Sequence, residues 1–403
     1  QTMYFSTLLA KDMTLYNMPG AFRLGKGVDT ARLTQALKTL TRQEDTLRTY
    51  FIPGTDSPVA KIADSAELHV DSIDAPDLAA ALGKFVKPFD LSVPPLMRAS
   101  FWNDGENNYL FVDIHHIIND GLGTQILLRK LNSIYGGKTE KPLRTYKDYA
   151  CEITSRGKAA VDADMDYWKE NLSGAETVCV LPSDRERTQL HKYEGSGFDT
   201  SLPAPLCAAI DAFCLENGTT PYSFFAGAFG ILLSKLTGCA SPVTGSPVSC
   251  REKADEYDML GAFINTLPLR LDVKNELKPD EYIKHIAKTI NDMIAHKDVS
   301  TGDIISAVGA QHVAGAGTLF NTLITFRPLS AEGFSLGGEK LEYIPAALNA
   351  AKLDLTLEVY GEKGNYSFRT EYATALFNET TIKFWSECYV HALSSLLMCE
   401  TLS

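Results

Sequence analysis

His115 and His116, followed after three residues by Asp120 and Gly121 in the run Tyr109-Leu110-Phe111-Val112-Asp113-Ile114-His115-His116-Ile117-Ile118-Asn119-Asp120-Gly121, have the types and spacing to do chemistry. Histidine is scarce here, eight in 403 residues, so an adjacent pair beside an Asp-Gly is a pointed signal. A neutral imidazole titrates near about pH 6.5, so a positioned His116 can accept a proton from an attacking amine, alcohol or thiol and return it. That is the chemistry of acyl transfer. Asp120 can orient the imidazole directly, as in a triad, or fix the loop by pairing with a distant arginine. The second role is preferred, because Gly121 follows at once and a strand-to-helix turn needs a buried anchor. Gly121 would let a substrate approach the backbone closely. The competing reading is two satisfied core histidines, one on each face of a strand; the Asp-Gly tips the balance toward catalysis. Metal binding is disfavoured, since adjacent strand residues diverge and no third ligand is near. No Gly-x-Ser-x-Gly elbow and no glycine-rich phosphate loop is present, so neither a serine nucleophile nor a nucleotide is indicated. The isolated His69, His191, His285, His296, His312 and His391 read as structural or exposed.

The elements that must position the pair follow from periodicity. Val28 to Leu47 carries a helical stripe and runs into a strand at Leu47 to Phe51. Leu78 to Val86 reads as a helix ending at the Pro88 turn. Arg98 to Trp102 and Tyr109 to His115 read as strands joined by a turn-rich hairpin connection. The second is apolar at nearly every position, as in a strand covered on both faces. Asn119 or Asp120 caps a helix from Gly121 to Tyr135, which places His116 in a strand-to-helix loop. A loop is expected from Gly136 to Arg144 and a surface helix from Asp162 to Leu172. Helices then follow at Pro205 to Glu216, Pro221 to Leu236, Pro279 to Ala295 and Ile382 to Met398. Strands fall near Pro242 to Val248, Leu319 to Phe326, Leu353 to Tyr360 and Asn365 to Tyr372, giving mixed α/β order.

Length favours two domains or lobes, divided near residues 155 to 180, with a ligand cleft between them. Apolar residues make up 45% and charged residues 22%, the balance of a globular protein. Thirty-eight Lys and Arg against 50 Asp and Glu leave a net charge of -12, which argues against nucleic acid and against a polybasic membrane patch. No apolar run is long enough for a membrane span, and no signal peptide opens the chain, so a cytoplasmic location is expected. Eight cysteines without C-x-x-C spacing read mostly as buried thiols. The start at Gln1-Thr2-Met3-Tyr4 reads as a fragment of a longer polypeptide.

The residues from His115 to Gly121 resemble the His-His-x-x-x-Asp-Gly signature of the condensation domains of nonribosomal peptide synthetases, which share the chloramphenicol acetyltransferase-like fold. The likeness continues along the chain. Arg42-Gln43-Glu44-Asp45-Thr46-Leu47-Arg48-Thr49-Tyr50-Phe51 is similar to the family's Arg-His-Glu-x-Leu-Arg-Thr-x-Phe segment, with Gln43 in place of the usual His. Phe85 to Leu91, Tyr146 to Ala150 and Gly261-Ala262-Phe263-Ile264-Asn265-Thr266-Leu267-Pro268-Leu269-Arg270 match further motifs. His296-Lys297-Asp298 is a degenerate version of another, and Gln1 would close an opening Ser-x-x-Gln.

The resemblance implies an α/β (α+β) fold of two chloramphenicol acetyltransferase-like lobes in a V with a central tunnel. Residues 1–160 would form the N-terminal lobe with the signature loop, and 161–403 the C-terminal lobe with segments crossing to the first. It implies His116 as the active-site residue, His115 packed behind it, Asp120 as a buried anchor with Arg251 as its partner and Arg270 as the rival, and Asn265 near the tunnel. No directly bound cofactor is implied; substrates would arrive on the phosphopantetheine arms of donor and acceptor carrier domains, with an adenylation domain adjacent in the parent polypeptide. The reaction implied is attack of an acceptor aminoacyl-thioester amine on a donor peptidyl or aminoacyl thioester, with His116 as proton acceptor or amine-positioning group. An epimerising domain is disfavoured by the lack of a Glu-Gly-His-Gly-Arg segment, a heterocyclising one by the intact His pair, and a macrocyclising one by His115 where Ser is usual. A silent carrier-docking module or a free-standing acyltransferase are the alternatives.

Overall fold

The Tyr109 to His115 run is the middle of a five-stranded sheet in the computed structural model. The structure describes all residues except 1, 10–13, 56, 139–143, 156, 176–177, 189–191, 328–333, 347–348, 400 and 402–403. Gln1, His191 and most of the expected 136–144 loop therefore lie outside the described residues. The strand Asn108–His115 is antiparallel to Met97–Asn103 on one side and to Asn17–Arg23 on the other. Glu342–Pro345 and Val70–Ser72 complete the two edges.

Alternation then divides its side chains between two cores. Leu110, Val112 and Ile114 pack with Leu33, Leu37, Leu40, Leu127 and Leu131, the inward stripes of the helices Thr30–Gln43 and Gly121–Tyr135. Tyr109 and Phe111 pack with Trp102, Phe85 and Ala81 on the opposite face. Each apolar side chain so buried stabilises the fold by about 1.5 to 3 kcal/mol, so the strand as a whole, buried from Tyr109 to His115, is held from both layers. The strand Asn17–Arg23 carries Pro19 and Gly20, which hide it from a periodicity reading. Pro19 is tolerated because the pairing with Glu342–Pro345 begins only at Gly20.

This first unit consists of Gln1–Arg156, Arg251–Ile264 and Ser330–Leu348. The second comprises Gly157–Cys250, Asn265–Leu329 and Asn349–Ser403. Its six-stranded sheet runs, from edge to edge, Gly195–Ser201, Asn365–Ala373, Leu355–Glu362, Thr322–Arg327, Val243–Ser249 and Ile264–Arg270. The helices Pro221–Thr237, Pro279–Ala295 and Glu379–Met398 pack their buried faces into the core shared with this sheet. The expected surface helix is Lys158–Asn171, but Trp168 is fully buried and donates its indole N–H to the His296 carbonyl at 3.0 Å. One face of that helix is therefore core. All eight cysteines are free thiols; Cys179, Cys207, Cys214 and Cys239 are buried, whereas Cys151 and Cys399 are exposed, fewer buried than composition suggests.

Candidate active site

The strand ends at His115, and the chain turns after it because the Ile117, Ile118 and Asn119 amides are bound by the local acceptors His115 Nδ1, His115 O and His116 O. His115 N–H donates to Leu96 O at 3.0 Å and His116 N–H to Tyr16 O at 2.8 Å. The Ile117 amide donates to His115 Nδ1 at 3.1 Å, so the imidazole itself braces the turn. Its Nε2 lies 3.3 Å from Thr7 Oγ1, whose own proton goes to Met3 O at 2.7 Å. Nδ1 accepts and Nε2 donates, which fits the Nε2–H tautomer. His115 is 1% exposed, whereas His116 at the start of the turn is only half-buried. Of the pair, His116 is thus the more accessible to solvent.

Asp120 is the N-cap of the helix Gly121–Tyr135, with its Oδ1 accepting the Gly123 amide at 2.6 Å. The same carboxylate meets Arg251 Nη2 at 3.3 and 3.4 Å and the Phe263 amide at 2.9 Å. Arg251 is itself 4% exposed. Its Nη1 donates to the carbonyls of Glu256 and, at 2.8 Å, Met259, and its guanidinium lies 4.0 Å from the Phe263 ring centre. A buried charge held this way is paired and hydrogen-bonded, as low-dielectric surroundings require. Arg270, the rival partner, is elsewhere: it bonds Asp272 at 2.7 Å and the carbonyls of Asn171 and Ser173.

Segments far apart in sequence converge on the Arg251–Phe263 stretch. Tyr146 and Tyr149 pack on Phe263 with ring centres 5.1 and 4.3 Å away, and Tyr146 OH donates to Ala262 O at 3.0 Å. A Cβ on Gly261 would lie 2.1 Å from the Tyr146 ring, which is why only glycine fits there. Thr46 Oγ1 reaches Leu260 O at 3.0 Å, and Glu44, 7% exposed, pairs with Lys130 at 2.7 Å. Gly123 is also packed: a Cβ would sit 2.3 Å from Asn119 Oδ1.

Gly121 differs from both, since a Cβ there meets nothing within 4 Å and the residue is exposed. Fold alone does not require it. Asn265 belongs to the second unit, where its amide nitrogen donates to Lys297 O at 2.8 Å and Val299 O at 2.7 Å. Its carbonyl oxygen is the remaining polar group. The degenerate His296-Lys297-Asp298 segment is therefore what Asn265 holds, and His296 Nδ1 lies 2.8 Å from Asp164.

On the strand face shared with His115, Asp113 is fully buried beside Asn17 and Arg98. Burial raises its carboxyl to about 6, against the lowering effects of Arg98 and Asn17. Among the described residues no group of three or more His, Cys, Asp or Glu is placed to hold a metal ion. Among them also, no helix is long and apolar enough to cross a membrane.

Sequence reasoning missed Thr7, and it gave no role to Phe89 or the Phe263 amide, although both lie in motifs it had picked out. A main-chain donor has no residue-type signature. Thr7 and Phe89 reach His115 only through tertiary packing.

Comparison with known proteins places this architecture. The family model of the condensation domain matches residues 1–399. The chain belongs to the condensation domain family, whose function is peptide-bond-forming condensation. It is 30% identical over 399 residues to surfactin synthase subunit 1 of Bacillus subtilis (strain 168), covering 98% of this chain and 11% of that protein. It is 28% identical over 396 residues to bacitracin synthase 2 of Bacillus licheniformis, covering 97% of this chain and 15% of the relative. The chain thus spans only 11% and 15% of the length of these much longer synthetases. Among solved structures, the X-domain from teicoplanin biosynthesis matches with a TM-score of 0.89 at 20% identity, over 99% of this chain and 94% of that one. A four-domain nonribosomal peptide synthetase bound to AMP and glycine matches at 0.88 and 19% identity, over 99% of this chain and 32% of that one. At that identity the likeness concerns the fold.

Proposed function

We propose that this chain joins two carrier-bound substrates. The α-amine of an acceptor aminoacyl thioester attacks the carbonyl of a donor peptidyl or aminoacyl thioester, and each substrate is tethered to the phosphopantetheine arm of a carrier domain. The C–N bond forms as the C–S bond breaks; the amine loses its proton, and the donor arm leaves as a thiol. An adenylation domain next to this chain in the parent polypeptide would load the acceptor. The arms are substrate, not a resident group.

The observation that carries this reading is the contrast within the histidine pair. His115 spends both ring nitrogens on Ile117 and Thr7, while His116 is only half-buried on the turn they brace. A thioester is already activated, so alignment of the amine can supply much of the rate, roughly 7 to 11 kcal/mol for well-oriented reactants. His116 accepts the amine proton or fixes the amine's orientation; both need the ring held still. Asp120 and Arg251 anchor the helix that follows, and Gly121 leaves open backbone beside it. The test is dipeptidyl-carrier formation from separately loaded donor and acceptor carriers. Carriers that bind without product forming would favour the silent docking module.

Gly121 gives a clean subsidiary test. Gly121→Ala adds a methyl group into open space and a better helix former by up to about 1 kcal/mol, so the melting temperature is expected to hold or rise. Turnover is nevertheless expected to fall at least tenfold, since reacting groups displaced by about 1 Å can lose about 100-fold. Wild-type turnover in this variant would remove Gly121 from the site.

A further inference from the structure

Asp113 lies two residues before His115, so their side chains leave the same face of the strand. Across the sheet Asp113 is paired in register with Arg98, whose Nη1 is 3.7 Å from Asp113 Oδ2. Asn17 Nδ2 donates to the same oxygen at 2.6 Å. Both partners reach one short stretch of chain. Arg98 donates to Lys87 O at 2.5 Å and Pro88 O at 3.1 Å, and Asn17 donates to Lys87 O at 2.9 Å. The Arg98 guanidinium covers the Phe89 ring at 3.8 Å, and Phe89 meets the His115 imidazole edge to face, with centroids 6.0 Å apart at 89°.

We propose that Asp113 is a positioning residue for the histidine pair: its carboxylate holds Arg98 and Asn17 so that they seat Phe89 against His115. The inference rests on the catalytic reading of His116 given above, because His115 braces the turn that presents it.

A purely structural cluster would be built differently. The carboxyl of Asp113 is raised to about 6 by burial, above the ordinary aspartate value. A raised acid pKa means that the folded state binds the proton more tightly. Stability is then highest at low pH and is lost as pH rises toward about 6. At neutral pH the ionised side chain is retained at a cost to stability, because burial outweighs what Arg98, 3.7 Å away and partly exposed, and Asn17 return. The charged and titratable groups around it are Arg98 on the neighbouring strand, itself pushed down by burial, and His115 on its own strand; the strand on the other side offers Asn17 and Pro19. Stability given up beside a reactive group indicates that the charge serves geometry.

The experiment pairs Asp113→Asn with Phe89→Leu in the full chain, assayed with loaded carriers. Asp113→Asn is expected to lower kcat about tenfold to a hundredfold with KM little changed, the scale of a small misplacement. Its melting temperature is expected to match or exceed that of wild type at neutral pH, the difference growing as pH rises from about 4 to about 6. The His115 ring signals in nuclear magnetic resonance spectra should move. Phe89→Leu should reproduce the kcat loss, and the double variant should be no worse than the poorer single one, because both act along one chain of contacts. Wild-type kcat in Asp113→Asn, or losses that multiply in the double variant, would overturn the proposal. Loss of turnover in His116→Ala with full turnover in Asp113→Asn removes this inference alone, whereas full turnover in both removes the proposed function as well.

Discussion

His116→Ala is expected to lower dipeptidyl-carrier formation by about 10²- to 10⁴-fold, the range for removing a positioned acid–base group, and to leave the fold intact. The backbone contacts of His116, its amide to Tyr16 O and its carbonyl from the Asn119 amide, are kept by alanine, and its side chain is only half-buried. An ordinary point substitution costs about 1 kcal/mol of stability, a small effect beside the expected loss of rate. Activity and stability should therefore separate. The pH profile divides the two roles left to the ring. A general base loses rate as pH falls through its own titration, whereas a group that only orients the amine leaves a profile set by the amine. Unchanged turnover in His116→Ala, with both carriers loaded, would sink the assignment.

The parts of the site that could be read in the sequence are those whose signal is local. A continuous apolar run placed the strand Asn108–His115, a period of 3.6 placed the helix Gly121–Tyr135, and the Asp-Gly after the turn marked the cap that Asp120 makes. Pairing across 131 residues is another matter. No periodicity links Asp120 to Arg251; the family resemblance named that partner, and the structure sets the two side chains 3.3 Å apart. The strands Asn17–Arg23 and Gly195–Ser201 escaped because Pro19, Gly20, Gly195 and Gly197 break the alternation that marks a strand. In the second, a Cβ on Gly195 would lie 2.4 Å from the Ala351 amide nitrogen, so close backbone approach outweighed propensity there. Tyr146 and Gly261 are alike: each belongs to a legible motif, yet that one motif forces glycine on the other emerges only when the ring and the backbone meet.

Asp120→Ala should cost about 3 to 5 kcal/mol of stability, because it leaves a buried arginine without its carboxylate. Arg251 keeps its bonds to the Glu256 and Met259 carbonyls, but these neutralise no charge. The substitution also strips the helix Gly121–Tyr135 of its cap, a loss of about 1 kcal/mol taken alone, and leaves the Phe263 amide without its acceptor. The three losses share one side chain and will not simply add. Urea unfolding of Asp120→Ala, of Arg251→Met and of the double variant Asp120→Leu with Arg251→Met measures the effect. The apolar pair is expected to recover much of the stability, since the charge that needed pairing is gone. Turnover in that double variant then separates the two roles open to Asp120. If the carboxylate only anchors the loop, restored stability brings restored turnover. If it orients the His116 imidazole, the double variant is stable and slow. A loss below about 1 kcal/mol in Asp120→Ala would contradict the anchor itself, because an uncompensated buried guanidinium is far costlier than that.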